Sequence, residues 1–402
     1  MTTVFAAPTS QAWTIGTPRL LAGLDRFAYL DHASHLAEHG ALPHMDRAHL
    51  TALLDDVALT GRGGAGFPFA AKLRATTREH STVVVNGSES EPASFKDRTL
   101  LRRAPHLVLD GALAVAAAIA SRHITVAVHD RVAADAVTRA IGERRDAAHA
   151  SVERVSGGFV AGEARALARG LGGGPAIPPG RRVHLTEGGV LASNAETFAQ
   201  VAIAMRLGAR RFRDTGTHAE PGTTLLTVGG AVSRPGVVEI PLGTPLGIVL
   251  AAAGATDPQA IVAGGYHGSW HAPLPQLRLA RDGITLGAGV LLVLDASTCA
   301  LGELARVAAW LAAQCARQCG PCQFGLPALA RDVAALAAGT GAALPAALRH
   351  ARMVDGRGAC RHPDGAARFV TSGLHLLHEE NDVHLAHGGC GRPVRGLLEV
   401  PS

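Results

Sequence analysis

Lysine and asparagine are nearly absent from this 402-residue sequence. Of 38 basic side chains only Lys72 and Lys96 are lysine, and the asparagines are Asn86, Asn194 and Asn381. Arginine stands almost everywhere a cation is needed. A surviving lysine therefore marks a place where a compact ammonium serves and a planar guanidinium does not. Runs of Lys and Arg are lacking too, and the net charge of +5 is modest, so no nucleic-acid patch is expected. The N-terminus has no charged-then-apolar leader pattern. The longest apolar run, Leu107 to Ala120, is broken by Asp110 and is too short to span a bilayer. The cysteines are not spread as a disulfide frame: four of the six lie between Cys299 and Cys322, a spacing that suits a cofactor better. These absences point to a soluble cytoplasmic protein.

What is present is a chain of two to three domains, 47% apolar and 18% charged, able to bury sizeable cores. Both lysines and one asparagine fall within Thr60 to Arg98. The stretch opens Thr60-Gly-Arg-Gly-Gly-Ala-Gly-Phe-Pro68, reaches Lys72, and continues through the apolar run Thr82 to Val85. It closes on Asn86-Gly-Ser-Glu-Ser-Glu-Pro-Ala-Ser-Phe-Lys-Asp-Arg98. It reads as a glycine loop, a short helix, a buried strand and a polar loop at the strand's C-terminal end. Glycines let backbone N–H groups approach a phosphate or a flat ring. The C-terminal edge of a strand in an open α/β sheet is where such folds bind ligands.

Helices are expected at Asp46 to Asp56, His106 to Ser121 and Val132 to Ala148, with strands at Ile124 to Val128 and Val152 to Val155. That alternation predicts a parallel, doubly wound sheet. Arg206 to Thr223 is basic and turn-rich and reads as a linker. Strands at Leu225 to Val228 and Val237 to Ile240 and a helix from Pro245 form a small unit, with Leu291 to Leu294 a last strand. From Gly302 the pattern is helical through Leu385, about four helices. Within it lie Cys315-x-x-x-Cys319-Gly-Pro-Cys322 and, later, Cys360.

The Thr60 to Arg98 stretch resembles the flavin- and NADH-binding subunit of respiratory complex I and of related soluble hydrogenases and formate dehydrogenases. That family shows Gly-Arg-Gly-Gly-Ala-Gly-Phe-Pro, a lysine, then Asn-Ala-Asp-Glu-x-Glu-Pro-Gly-x-Phe-Lys-Asp-Arg. Gly157-Gly-Phe-Val-Ala-Gly-Glu-Ala-Arg-Ala-Leu167 is similar to its second signature, aromatic-x-x-Gly-Glu-Glu-Thr-Ala-Leu. Gly162 and Glu163 match, whereas Ala164 and Arg165 depart. Leu191-Ala-Ser-Asn-Ala-Glu-Thr-Phe198 resembles Val-Asn-Asn-Val-Glu-Thr-Leu, with Ser193 in place of an asparagine.

The resemblance implies an irregular segment over 1–45, a doubly wound FMN- and nucleotide-binding α/β domain over 46–215, a small SLBB-like β-grasp domain over 222–275, and a helical iron–sulfur domain over 295–390. The β-grasp unit reads as a spacer between its neighbours. The FMN site would comprise Gly61, Arg62, Gly63, Gly64, Gly66, Phe67, Lys72, Asn86, Ser88, Glu89, Glu91, Gly162, Glu163, Ser193, Asn194 and Thr197. Phe67 is expected against the nucleotide, and Lys72 at the flavin phosphate or the electron-rich end of its ring.

Cysteines at these spacings bind zinc or an iron–sulfur cluster. His362, His384 and His387 keep zinc open, while coupling to a flavin favours a 4Fe–4S cluster. In the family, Ser-Cys-x-x-Cys-x-Pro-Cys and a distant cysteine hold such a cluster. Cys319, Cys322 and Cys360 match, but the first family cysteine aligns with Ala316. Cys315 is the expected fourth ligand and Cys390 the stand-in. Cys299 and Cys390 otherwise read as buried free thiols.

The implied function is an FMN-dependent NAD(P)H oxidoreductase, diaphorase-like, passing electrons to the cluster and then to a ferredoxin-like or thioredoxin-fold 2Fe–2S partner. Two other readings stand: an electron-transfer subunit that uses no nicotinamide nucleotide, and a zinc-bearing interaction protein with a relict flavin site.

Overall fold

The computed structural model describes residues 11–76, 81–180 and 184–401. The first ten residues of the N-terminal segment lie outside them. The chain runs β1 (Ala12–Thr14), α1 (His32–His39), α2 (Arg47–Asp56), α3 (Phe69–Ala75), β2 (Thr82–Gly87), α4 (Lys96–Arg103), α5 (Pro105–Ala118), β3 (His123–Val128), α6 (Arg131–Gly142), β4 (Ala150–Arg154), α7 (Ala164–Leu171), β5 (Val190–Asn194) and α8 (Ala195–Arg213). Four of these strands form a wholly parallel sheet in the order β4-β3-β2-β5. Val83 and Val85 of β2 enter the large core with α5 and α8, while Val84 faces Leu167 of α7 on the other side. A strand buried on both faces reads as the unbroken valine run seen in the sequence. After β4 the chain crosses to the far side of β2 to form β5, so the order reverses between β2 and β5. Ligands bind at such switch points.

The second sheet holds β6 (Thr223–Gly230), β7 (Gly236–Pro241), β8 (Pro258–Ala263), β9 (Ser269–His271) and β10 (Val290–Asp295), with α9 (Leu246–Ala252) packed on it. Its order is β1-β7-β6-β10-β8-β9. Two sequence expectations change here. The strand expected after this unit lies inside it: β10 pairs with β6 and β8. The N-terminal segment is not irregular, because β1 pairs parallel with β7. Glu239 of β7 also accepts backbone N–H bonds from Arg19, Leu20 and Leu21, each at 3.0 Å. The expected linker from Arg206 is a third difference. Helix α8 runs on to Arg213 across a break at left-handed Gly208 (φ 68°), because Phe212 is buried in the first core.

The C-terminal part has five helices rather than four: α10 (Ala300–Ala313), α11 (Leu326–Ala337), α12 (Ala343–Val354), α13 (His362–Leu376) and α14 (His378–His387). They share one core with Tyr266 and Trp270 of the second sheet unit. Among the described residues no helix is long and apolar enough to cross a membrane.

Asp110, which interrupts the apolar run of α5, is buried and paired. It bonds His35 Nε2 and Arg144 Nη1, each at 2.7 Å, and Arg206. Burial alone would raise its pKa, but the His35 hydrogen bond and the two guanidinium groups outweigh it and hold the carboxyl low. A depressed carboxyl contributes stability that is present above its ordinary pKa of about 3.9 and is lost as pH falls below that value. Asp110→Ala leaves buried Arg206 without its carboxylate and Arg144 with Asp146 alone, and is expected to cost about 3–5 kcal/mol in urea unfolding at neutral pH. A loss below about 1 kcal/mol, the range of an exposed ion pair, would show that the pairs are solvated.

Candidate functional site

The glycine loop lies against the C-terminal ends of β2 and β5. Asn86 and Asn194 are register partners on these adjacent strands, so two of the three asparagines stand side by side at the switch point. The Arg62 N–H donates to Thr197 Oγ1 at 2.9 Å, which ties the loop to the start of α8. A Cβ on Gly63 would only touch the Asn194 side chain, whereas Gly64 is left-handed at φ 96°. Gly64 thus gives the loop a turn that a side chain would strain.

Asn86 Nδ2 donates to the Gly162 carbonyl at 2.9 Å, and its Oδ1 accepts from the Ser88 hydroxyl at 2.6 Å. A Cβ at Gly162 would overlap the Ser90 hydroxyl, so the second signature packs directly on the polar loop after β2. Glu163 caps α7, accepting from Ala166 N at 3.1 Å, and pairs with Arg165 at 2.7 Å. The positive charge that Arg165 brings is therefore offset locally.

Lys72 donates to the Ala192 carbonyl at 2.7 Å, and no carboxylate among the described residues pairs with it. Burial lowers its pKa to about 8. Arg62 Nε is also buried and has no hydrogen-bond partner among the described residues. Two under-satisfied cations beside a glycine cradle suit an anionic, phosphate-bearing group.

The two acids after β2 diverge. The Glu89 carboxylate accepts from Asp97 N and Arg98 N, each at 2.9 Å, and from Ser94 Oγ at 2.8 Å, so it anchors the start of α4. Glu91 is buried and accepts from Tyr266 N at 2.8 Å and Ala93 N at 3.5 Å. Its pKa is raised to about 7 by burial, which those backbone bonds only partly oppose. Lys96 lies 3.0 Å from both Asp97 and Glu196 in a buried cluster that also holds Asn194. It joins the two sheets, since Glu196 accepts from Leu225 N of β6 at 3.0 Å. Phe67 is 48% exposed and lines neither large cleft; Ser193 is buried within β5.

Two large clefts meet at Phe159 to Gly162. One, of ≈ 900 Å³, is bounded by Gly63, Gly64, Glu91, Gly162, His267 and Cys360. The other, of ≈ 1210 Å³, runs from Ser88 and Glu89 past Phe159 to Cys315. Phe159 packs edge-on to Trp310 and His267, with ring centroids 5.1 and 4.7 Å apart. Burial, followed by the neighbouring His362, lowers the His267 pKa to about 3, so this imidazole is neutral at physiological pH. Phe159 and His267 were not among the expected site residues. Phe159 occupies the aromatic position of the second signature, and that was its available signal. His267 comes from the unit read as a spacer, whose loop in fact walls the cleft.

After α10 the backbone leaves the helix from Cys315 to Cys319, with Arg317 left-handed at φ 52°. Cys322 follows in a π-turn, Pro321–Gly325. Cys315 Sγ lies 3.4 Å from the Cys322 carbonyl. Burial first, then the Cys319, Cys315 and Cys360 sulfurs, raises the Cys322 thiol pKa. Cys315, Cys319 and Cys360 thus lie near enough to act on Cys322, and a set of four cysteines suits a 4Fe–4S cluster. Cys390 stands elsewhere, beside Cys299 and His384.

The Nuo51 FMN-binding domain model matches residues 54–203, and the NADH-ubiquinone oxidoreductase-F iron–sulfur binding region matches residues 302–384. The chain belongs to the family of F-type flavoprotein subunits of NADH-quinone oxidoreductase. Within it, the F-type NADH-quinone oxidoreductase subunit of Streptomyces coelicolor is 29% identical over 379 residues, spanning 85% of this chain and 84% of that protein. The alpha subunit of the NAD-reducing hydrogenase HoxS of Cupriavidus necator is 32% identical over 252 residues, 57% of this chain and 41% of that protein. The crystal structure of an NAD+-reducing NiFe-hydrogenase in the air-oxidized state superposes with a TM-score of 0.79 at 25% identity, covering 94% of this chain and 73% of that one. The two matched regions contain the glycine loop and Cys315, Cys319, Cys322 and Cys360.

Proposed function

We propose that this chain oxidises reduced nicotinamide nucleotide through FMN and passes the electrons to a 4Fe–4S cluster, as the NADH-oxidising subunit of a larger assembly. One observation carries this: the glycine cradle and Cys360 line the same cleft, so a two-electron site and a one-electron site share a wall. Bound FMN supplies hydride acceptance and single-electron release, and the cluster takes up those single electrons. Gly61, Gly63, Gly64, Gly66 and Gly162 let the backbone approach the flavin. Arg62 and Lys72 meet its negative charge. Asn86 and Asn194 hold the strand ends at which it sits, and Ser88, Ser193 and Thr197 complete that edge. Cys315, Cys319, Cys322 and Cys360 hold the cluster. Phe159 and Glu91 face the remaining space, where the nucleotide binds, with Phe67 at the loop's outer turn. A cytoplasmic setting and a small 2Fe–2S partner subunit fit this role.

Nucleotide selectivity follows from the second signature. Ala164 stands where the family carries a second carboxylate. A carboxylate repels the 2′-phosphate of NADPH and accepts from the ribose hydroxyls of NADH. Glu91, with its pKa near 7, is only partly ionised at neutral pH. Losing one like-charge contact changes relative affinity by roughly ten- to a hundredfold. We expect a high KM for NADH, a measurable NADPH rate, and a preference for NADH that grows as pH rises through 7 and Glu91 ionises. Anaerobic stopped-flow with each nucleotide tests both points. Flavin bleaching followed by cluster reduction supports the activity; no reduction by either nucleotide means that electrons enter from a protein. An NADH preference above about a thousandfold would remove the role given to Ala164.

A further inference from the structure

Four chemistry-bearing side chains remain outside the flavin and cluster sites: Cys299, Glu380, His384 and Cys390. Their ligand atoms all lie within 4.8 Å of one another, and no other such His, Cys, Asp or Glu group occurs among the described residues. We propose that they form a second metal centre, a closed structural zinc site.

The spacing suits one ion. Tetrahedral zinc with bonds of about 2.0–2.3 Å needs ligand atoms about 3.3–3.8 Å apart. Here Cys299 Sγ is 3.4 Å from His384 Nε2. His384 Nε2 is 3.7 Å and Cys390 Sγ is 3.8 Å from Glu380 Oε1. Small side-chain motions close the set. The thiols around Cys319, by contrast, form no such tight group, as expected for ligands spread around a four-iron cube.

The surroundings are arranged for a cation. His384 Nδ1–H donates to the Ala337 carbonyl at 2.7 Å, leaving the Nε2 lone pair facing Cys299. A carbonyl partner behind a ligating imidazole is the usual outer support of a metal site. Cys299 caps α10, where Gly302 N donates to its sulfur at 3.2 Å. Glu380 is held by Leu301 N at 3.1 Å and lies 2.8 Å from Arg392. Two thiolates, one carboxylate and a neutral imidazole around Zn²⁺ leave one negative charge, and Arg392 offsets it. Binding releases the two thiol protons to solvent, and no electron moves. A mixed sulfur, nitrogen and oxygen set matches zinc rather than the hard cations.

The site would join the start of α10 to helix α14 and the C-terminal tail that follows it. Cys299 N already donates to Pro393 O at 2.9 Å, and Tyr266 Oη donates to Glu399 O at 2.5 Å. The tail reaches the larger cleft at Pro401. The zinc would thus fasten a strap that extends to the nucleotide side.

The test is zinc and iron analysis of the full chain purified anaerobically, with zinc-edge X-ray absorption. We expect about one zinc per chain beside the cluster iron, with two sulfur neighbours at about 2.3 Å and two nitrogen or oxygen neighbours at about 2.0 Å. Cys390→Ser and His384→Gln should lose the zinc and keep the iron and its EPR signal. Wild-type protein with full iron and no zinc above background overturns the proposal. So does zinc with only nitrogen and oxygen neighbours, a Cys299–Cys390 disulfide by intact mass, or iron loss in Cys390→Ser.

Discussion

Cys315→Ser, like Cys319→Ser, Cys322→Ser and Cys360→Ser, is expected to abolish the four-iron EPR signal while leaving flavin bound. Cys315 is the informative member. It lies one residue before the family's ligand position, and on a continuous helix that shift would turn the side chain by roughly 100°. The structure removes this obstacle: α10 ends at Ala313, and the chain to Cys319 is unwound around left-handed Arg317. Cys315 then reaches the Cys322 carbonyl at 3.4 Å, within the same group of thiols. Serine is a poor ligand for iron, which soft thiolates select. Iron should therefore fall from four per chain towards zero. Reduction of an artificial flavin-level acceptor should survive, and transfer to a one-electron protein acceptor should not. Cys390→Ser should keep all four irons. The opposite pattern, Cys315→Ser with a normal signal and Cys390→Ser without one, would exchange the two assignments.

FMN affinity should fall by roughly ten- to a hundredfold when Lys72 is replaced by methionine, the range of a lost hydrogen bond to a charged group. Lys72 is buried, donates to the Ala192 carbonyl, and has no described carboxylate partner. Its pKa of about 8 follows from burial. The ammonium is the form that attracts the flavin's phosphate or the electron-rich end of its ring. Above pH 8 the free protein has lost that proton and must regain it on binding. Affinity should thus drop by up to about tenfold per pH unit above 8, and not below. Lys72→Arg keeps the charge at every pH, so this dependence should vanish. Its wide fork does not fit the single Ala192 carbonyl, so retention should also weaken. Equilibrium titration of flavin-free protein with FMN measures both. Full flavin content and an unchanged potential in both Lys72→Arg and Asn86→Ala would falsify the assignment.

The rarity of lysine and asparagine pointed to real constraints of two different kinds. Lys72 and Asn86 stand at the proposed flavin edge. Lys96 instead sits between Asp97 and Glu196, where a compact ammonium fits and a guanidinium would not. No property of the sequence separated these cases, because the difference lies in which carboxylates the fold brings near.

The sequence by itself determined what depends on near neighbours. The glycine loop, the valine strand, the polar loop behind it and the Cys-x-x-Cys turn are local patterns, since backbone freedom and side-chain spacing act over a few residues. Tertiary structure alone decided what depends on register and packing between distant segments. It set Asn86 beside Asn194 and placed β10 at the centre of the second sheet. It also brought Cys299 to His384 and Cys390. Most of these contacts join positions tens to hundreds of residues apart, and the energies that select them come from burying whole faces of sheet and helix, which no short window of sequence contains.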